Sequence, residues 1–165
     1  MADGLTIKIE GADKIIDRLS TLPSKLQKKA AKVAARRAMA IVRDEARRNA
    51  KKIDDVDSRN TIWKNIRVQE ATRSGRRIGG VVMRVGVAGT AVLRRSKAVR
   101  ESQSADLPGK ATQHWRLFEF GSKNTPAQPF LRPAMATKQN AVIEKVVSEL
   151  SAAIDRLAAS PPGTS

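Results

Sequence analysis

The chain has no cysteine, a single histidine, and only two tryptophans and three phenylalanines among 165 residues. Without cysteine there can be no disulfide staple and no thiolate metal site, which fits a reducing compartment. No apolar run approaches the length of a membrane span, and the N-terminus lacks the basic-then-apolar order of a signal peptide. A soluble protein made in the cytoplasm, with no membrane partner, is therefore expected. Acidic residues are also scarce: 16 against 32 lysines and arginines, a net charge of +16. Such a field attracts phosphate polymers or acidic protein surfaces. The hydrophobic fraction is 41%, largely alanine and valine. That predicts a thin core, of the kind that other subunits often complete.

Catalytic constellations are missing too. His114 has Glu119 five residues on, a poor spacing for two ligands on one helix face. Gly75, Gly79 and Gly80 stand in a polar stretch rather than at a strand-to-helix phosphate loop. Asp54, Asp55 and Asp57 lack the glycine and distal glutamate of a calcium loop and read as a solvated turn. No enzyme, cofactor or metal is expected. Nor is there a base-reading DNA module: no zinc ligands, no leucine heptad behind the basic segment, no stacking aromatics on a strand.

What is present is strongly patterned. Leu5–Ile9 alternates as a short strand, and Asp13 is placed to cap a short helix through Leu19 or Leu22. Ser24, with Gln27 at capping-box distance, opens a long helix running to about Ala50. Leu26, Ala30, Val33, Ala34 and Ile41 form its expected apolar side. Lys25, Lys29, Lys32, Arg36, Arg43 and Arg47 form a second stripe. From Lys25 to Lys52 there are eleven basic residues and two acidic ones, Asp44 and Glu45. An ordinary solvated face intersperses the signs, so the stripe is a candidate contact surface for DNA backbone or an acidic partner. Two strands follow, around Ile66 and Val68 and around Val81–Val87, joined by a hairpin-like loop over Thr72–Gly80. Gly89–Thr112 reads as a mobile loop. A last helix is expected to start at Pro133 and to carry Val142, Ile143, Val146, Val147, Leu150, Ile154 and Leu157 on one face. Residues 160–165 read as a disordered tail. The composite expectation is one α+β domain over 1–159, a small antiparallel sheet packed against a long basic N-terminal helix and a C-terminal helix.

The most distinctive segment is His114–Met135. It holds all three phenylalanines, one tryptophan, the histidine and three of the seven prolines. Pro126, Pro129 and Pro133 set φ and remove donors, so an extended arm is expected until Pro133. Gly121 allows a sharp turn after Phe120. Trp115, Phe118, Glu119, Phe120, Phe130, Leu131 and Arg132, with these prolines and Gly121, are the candidate docking residues. Phe130 and Leu131 suit a hydrophobic pocket in this subunit or in the next.

Glu119-Phe120-Gly121-Ser122, a polar spacer, and Pro126-Ala127-Gln128-Pro129-Phe130-Leu131-Arg132-Pro133-Ala134 together resemble the signature of a phage neck and tail-completion family from long-tailed, non-contractile phages. Arg59–Ile66 is similar to that family's Gly-Asn-Leu…Ile segment, although Arg59 stands where the family has glycine. The resemblance spans roughly residues 5–157. It implies a structural virion protein, assembled in the host cytoplasm, that forms a hexameric ring at the head–tail interface. Its partners would be neighbouring neck, tail-terminator or tail-tube proteins. Packaged double-stranded DNA joins them if the basic stripe faces the lumen, through non-specific phosphate contacts. The alternative is a non-specific, nucleoid-type DNA-binding protein.

Overall fold

The computed structural model describes residues 12–54, 61–88, 107–109, 112 and 114–159. The expected strand at Leu5–Ile9, Asp55, Asp57, Arg59, most of Gly89–Thr112 and the tail 160–165 lie outside the described residues. The elements run α1 (Ala12–Ser20), α2 (Ser24–Lys51), α3 (Ile62–Asn65), β1 (Ile66–Glu70), α4 (Thr72–Ile78), β2 (Met83–Val87), α5 (Trp115–Phe120) and α6 (Leu131–Ala159). This is the expected α+β arrangement: a two-stranded antiparallel sheet with a long helix before it and another after it.

The long helix has the expected span but not the expected cap. Pro23, not Ser24, precedes α2, and no side chain caps it. The Leu26 and Gln27 amides donate instead to the Pro23 carbonyl, at 2.8 and 3.0 Å. Gln27 points the other way: its side-chain amide donates to the Ser20 and Leu22 carbonyls, at 3.3 and 2.7 Å. Glutamine carries two amide donors, and the C-terminal carbonyls of α1 lack helical partners, so the side chain serves the helix that is ending. Asp13 lies inside the first turn of α1 rather than before it.

Alanine dominates the buried side of α2, as Ala30, Ala34, Ala38, Val42, Ala46 and Ala50. Of the apolar side expected from sequence, Ala30 and Ala34 are buried, Leu26 and Ile41 are half-buried, and Val33 is exposed. The buried residues step strictly by four. Each step overshoots a full turn by about 40°, so the ridge winds about 200° around the rod from Ala30 to Ala50. Small side chains on such a ridge let another helix approach closely. That helix is α6, antiparallel to α2 and in its most extensive contact. Arg37 bonds Glu149 at 2.6 Å, Lys138 bonds Glu45 at 3.4 Å, and the Asn49 amide reaches the Phe130 carbonyl at 3.4 Å. The core joins the later part of the ridge to Ile62, Ile66, Val87, Phe130, Ala134 and Val142.

β1 and β2 pair in register Ile66↔Val87, Val68↔Val85 and Glu70↔Met83. Their connection is not the expected hairpin loop. Thr72–Ile78 forms helix α4, ended by Gly79 in the left-handed region at φ 69°. Gly75 is buried, and a Cβ there would lie 2.7 Å from the Gly80 carbonyl oxygen. Both glycines, read from sequence as loop punctuation, allow a short helix to fold tightly back on its own exit.

Candidate functional site

The aromatic, proline-rich window is organised around one carboxylate. Glu119, at the end of α5, is 1% exposed. One of its oxygens accepts from the Phe130 and Leu131 amides, each at 2.9 Å, and the other from the Arg132 amide at 3.0 Å. The Arg132 guanidinium closes the clamp, donating to the same carboxylate at 3.3 Å and to the Glu119 carbonyl at 2.6 Å. A helix begins with four amides that have no partner inside it. In α6 three of them bind Glu119, and the fourth position is Pro133, which has no N–H to satisfy. A carboxylate at a helix N-terminus also meets the positive end of the helix dipole. The Glu…Phe-Leu-Arg-Pro pattern is thus a helix cap supplied from another element. It also corrects the expected start of the last helix: α6 begins at Leu131, and Pro133 sits in its first turn, where proline is tolerated.

The rest of the window is held by the same geometry. Gly121 takes φ 76°, and a Cβ there would come within 3.1 Å of the Ala127 amide nitrogen. The Gln128 amide donates to the Phe118 carbonyl at 2.7 Å, drawing the arm back along α5. Phe130 is completely buried in the core of its own chain, with the Trp115 ring edge-on at 6.4 Å. Trp115, Phe118 and Leu131 are partly buried against that core. What the window leaves outside is a smaller set: Phe120 at 63%, Leu117 at 50% and Met135 at 44% exposure, with Pro126 and Pro129 also exposed. Arg132 lies 5.5 Å from the Phe120 ring centroid. With Leu131 and Met135 it lines a shallow groove of about 220 Å³ that reaches Met39 and Val85.

Two further polar residues organise the other end of the core. Asp54, read from sequence as part of a solvated turn, accepts from the Ile62 and Trp63 amides at 2.9 and 3.1 Å and caps α3. Asn65 is buried; its oxygen accepts from Gly109 N–H at 2.9 Å and its amide donates to the Thr112 hydroxyl at 2.8 Å. A Cβ at Gly109 would lie 2.0 Å from the Thr61 carbonyl oxygen. The last residues of the stretch expected to be a mobile loop are therefore pinned at Gly109 and Thr112. No sequence spacing announces Asn65 as their anchor, because its partners lie more than forty positions away.

The basic stripe of α2 does not stand free along its whole length. Strand β1 runs beside it: Arg47 donates to the Ile66 carbonyl at 3.1 and 2.8 Å, and Lys32 pairs with Glu70. Arg43 is bidentate to Asp44, at 2.8 and 3.0 Å, which raises its pKa further. Lys25, Lys29 and Arg36 are exposed, and among the described residues no ion pair engages them. The stripe keeps within a sector of about 60°, while the buried ridge winds into that sector toward Ala50. Lys32 and Arg47 are drawn into bonds with β1 and Arg43 into one with Asp44, while Lys25, Lys29 and Arg36 keep their charge for solvent.

This part of α2 borders an open groove of about 490 Å³ between α2 and α4. Its lining includes Lys28, Lys29 and Lys32 of α2, Glu70 of β1, and Arg76 with Gly79 and Gly80 of α4 and its exit. Among the described residues no cluster of histidine, aspartate and glutamate could hold a metal ion, and no helix is long and apolar enough to cross a membrane.

Residues 13–121 match the model of a family described as "Bacteriophage HK97-gp10, putative tail-component". No curated protein and no solved structure matches the chain.

Proposed function

The chain belongs to the HK97-gp10-like family of bacteriophage tail components, and from that membership we propose a structural virion protein that completes the tail at the head–tail interface as a homo-oligomeric, hexameric ring. The role is non-enzymatic. The observation that carries the docking part of this reading is the exposed apolar set Leu117, Phe120 and Met135. Phe120 directly follows the buried Glu119 clamp, so a partner meets a side chain whose backbone is already ordered, and little entropy is lost on docking. Phe130 supports the rigidity of this surface from inside the core. Pro126, Pro129 and Arg132 flank the apolar set and form its rim.

The stripe cations outside ion pairs among the described residues, Lys25, Lys29 and Arg36, are the second proposed contact. They face either packaged DNA across the lumen, through phosphate contacts, or an acidic neighbour in the neck. The experiment is to introduce Leu117→Asp with Phe120→Asp and to follow particle assembly and, by mass photometry, the size of the purified protein. Loss of oligomers and of tail incorporation, with an unchanged circular dichroism melt, is the expected result. Normal assembly would reject this surface. A free nucleoid-type protein would instead bind duplex DNA tightly as a monomer or dimer, with steep salt dependence.

A further inference from the structure

We propose that the groove between α2 and α4 is a docking site for an acidic peptide segment of a different protein, one whose glutamate or aspartate side chains enter beside Lys28, Lys29 and Arg76. The inference narrows the basic-surface reading above and does not depend on ring formation.

Four cations, Lys28, Lys29, Lys32 and Arg76, converge on one concavity with Glu70 as the single carboxylate. Lys32 is already bound to that carboxylate. The other three carry no ion pair among the described residues, so the groove holds uncompensated positive charge. In the Lys32–Glu70 pair a carboxylate of the lining already meets an ammonium group.

The shape argues for peptide over nucleic acid. A duplex presents a broad convex surface with its phosphates strung along the outside, and suits cations spread along a line rather than gathered in a pocket. Single strands are held by cationic grooves furnished with stacking aromatics. Among the described residues no aromatic side chain lines this groove. The walls at Gly79 and Gly80 carry no side chain and leave room for a second backbone.

A second copy of this chain is a poor donor. Among the carboxylates of described side chains, Asp44, Glu45, Glu70, Glu119, Glu149 and Asp155 are in ion pairs within their own chain and Asp54 is occupied as a cap, which leaves Asp17 and Glu144, on different helices, α1 and α6, and not in one acidic run. Two copies at +16 each also repel. The acidic segment comes from another protein.

The test uses the full chain with two probes, a fluorescein-labelled octaglutamate peptide and a labelled duplex oligonucleotide, read by fluorescence anisotropy over a salt series. The site variant is Lys28→Glu with Lys29→Glu and Arg76→Glu. The control is Lys14→Glu with Arg67→Glu and Lys123→Glu, which changes net charge equally at exposed positions outside the groove. The peptide is expected to bind the wild type and the control alike and to bind the site variant about tenfold more weakly or worse. Equal loss in both variants would mean attraction to net charge alone and would overturn the proposal. So would duplex binding that is lost in the site variant while peptide binding is not. Because these readouts use purified protein and no particle assembly, their failure is separable from failure of the tail role.

Discussion

The Glu119 clamp and the basic end of α2 are opposites in how they treat charge. At the clamp a carboxylate is taken almost wholly out of water, and every one of its bonds is internal: three amides and one guanidinium, all from the first turn of α6. At the basic end and on facing α4, Lys25, Lys28, Lys29, Arg36 and Arg76 are exposed, and among the described residues no carboxylate answers them. Buried and bonded charge builds structure; exposed and unanswered charge is available to something else. The family match ends just past the carboxylate of the first place, at residue 121, and the unspent interaction potential lies at the second.

That contrast can be broken in a graded way. Phe130→Ala should have the largest effect on stability, a loss of about 3–5 kcal/mol in denaturant unfolding, since a fully buried ring is removed from the core. Glu119→Ala should follow, at about 2–4 kcal/mol, because three helix-start amides are left without an acceptor. If it cost under about 0.5 kcal/mol, as a surface change does, the clamp would not be structural. Gly121→Ala should cost about 1–2 kcal/mol, since φ 76° is unfavourable for a residue with a Cβ and Ala127 stands in its way. The triple reversal Lys28→Glu, Lys29→Glu and Arg76→Glu should shift stability by only about 0.5 kcal/mol per site or less, in either direction. A large destabilisation there would erase the difference between the two regions.

Acid should act on a third set of charges, the ties between α2 and α6. Arg37 first, then Lys145, holds the Glu149 carboxyl below its usual pKa of 4.5. Arg48 and then Lys138 do the same for Glu45. A folded-state pKa below the unfolded one contributes stability that is full above pH 4.5 and is lost as pH falls through the lowered value. Thermal melts taken from neutral pH downward should therefore hold level and then drop on the acid side of 4.5. Glu149→Gln should make that drop shallower.

The long helices, the two strands and the overall α+β arrangement were legible in the sequence because each rests on a local periodicity. Local rules also produced the errors. Ser24 and Gln27 have capping-box spacing, yet Gln27 finds open carbonyls nearer at hand behind it, at Ser20 and Leu22. Gly75 and Gly79 are common turn residues, and only the close approach of Gly80 reveals that they belong to a helix and its exit. Glu119 was singled out, but as a docking residue. Its partners lie eleven to thirteen positions away across a turn, and no periodicity connects them. The basic stripe was correctly seen as a stripe. What sequence could not give was β1 lying along it, which takes up Lys32 and Arg47 and leaves the others between and before them.

The winding alanine ridge makes α2 unequal in the kinds of change it can absorb. Exchanging one small residue for another leaves every face where it was. Deleting a single residue between Ala30 and Ala50 rotates all that follows by about 100°. That would turn Arg47 away from Ile66 and bring charged side chains toward α6. Over this stretch the rod should accept many changes of letter and almost none of length, and among natural relatives insertions and deletions should collect in the connections instead.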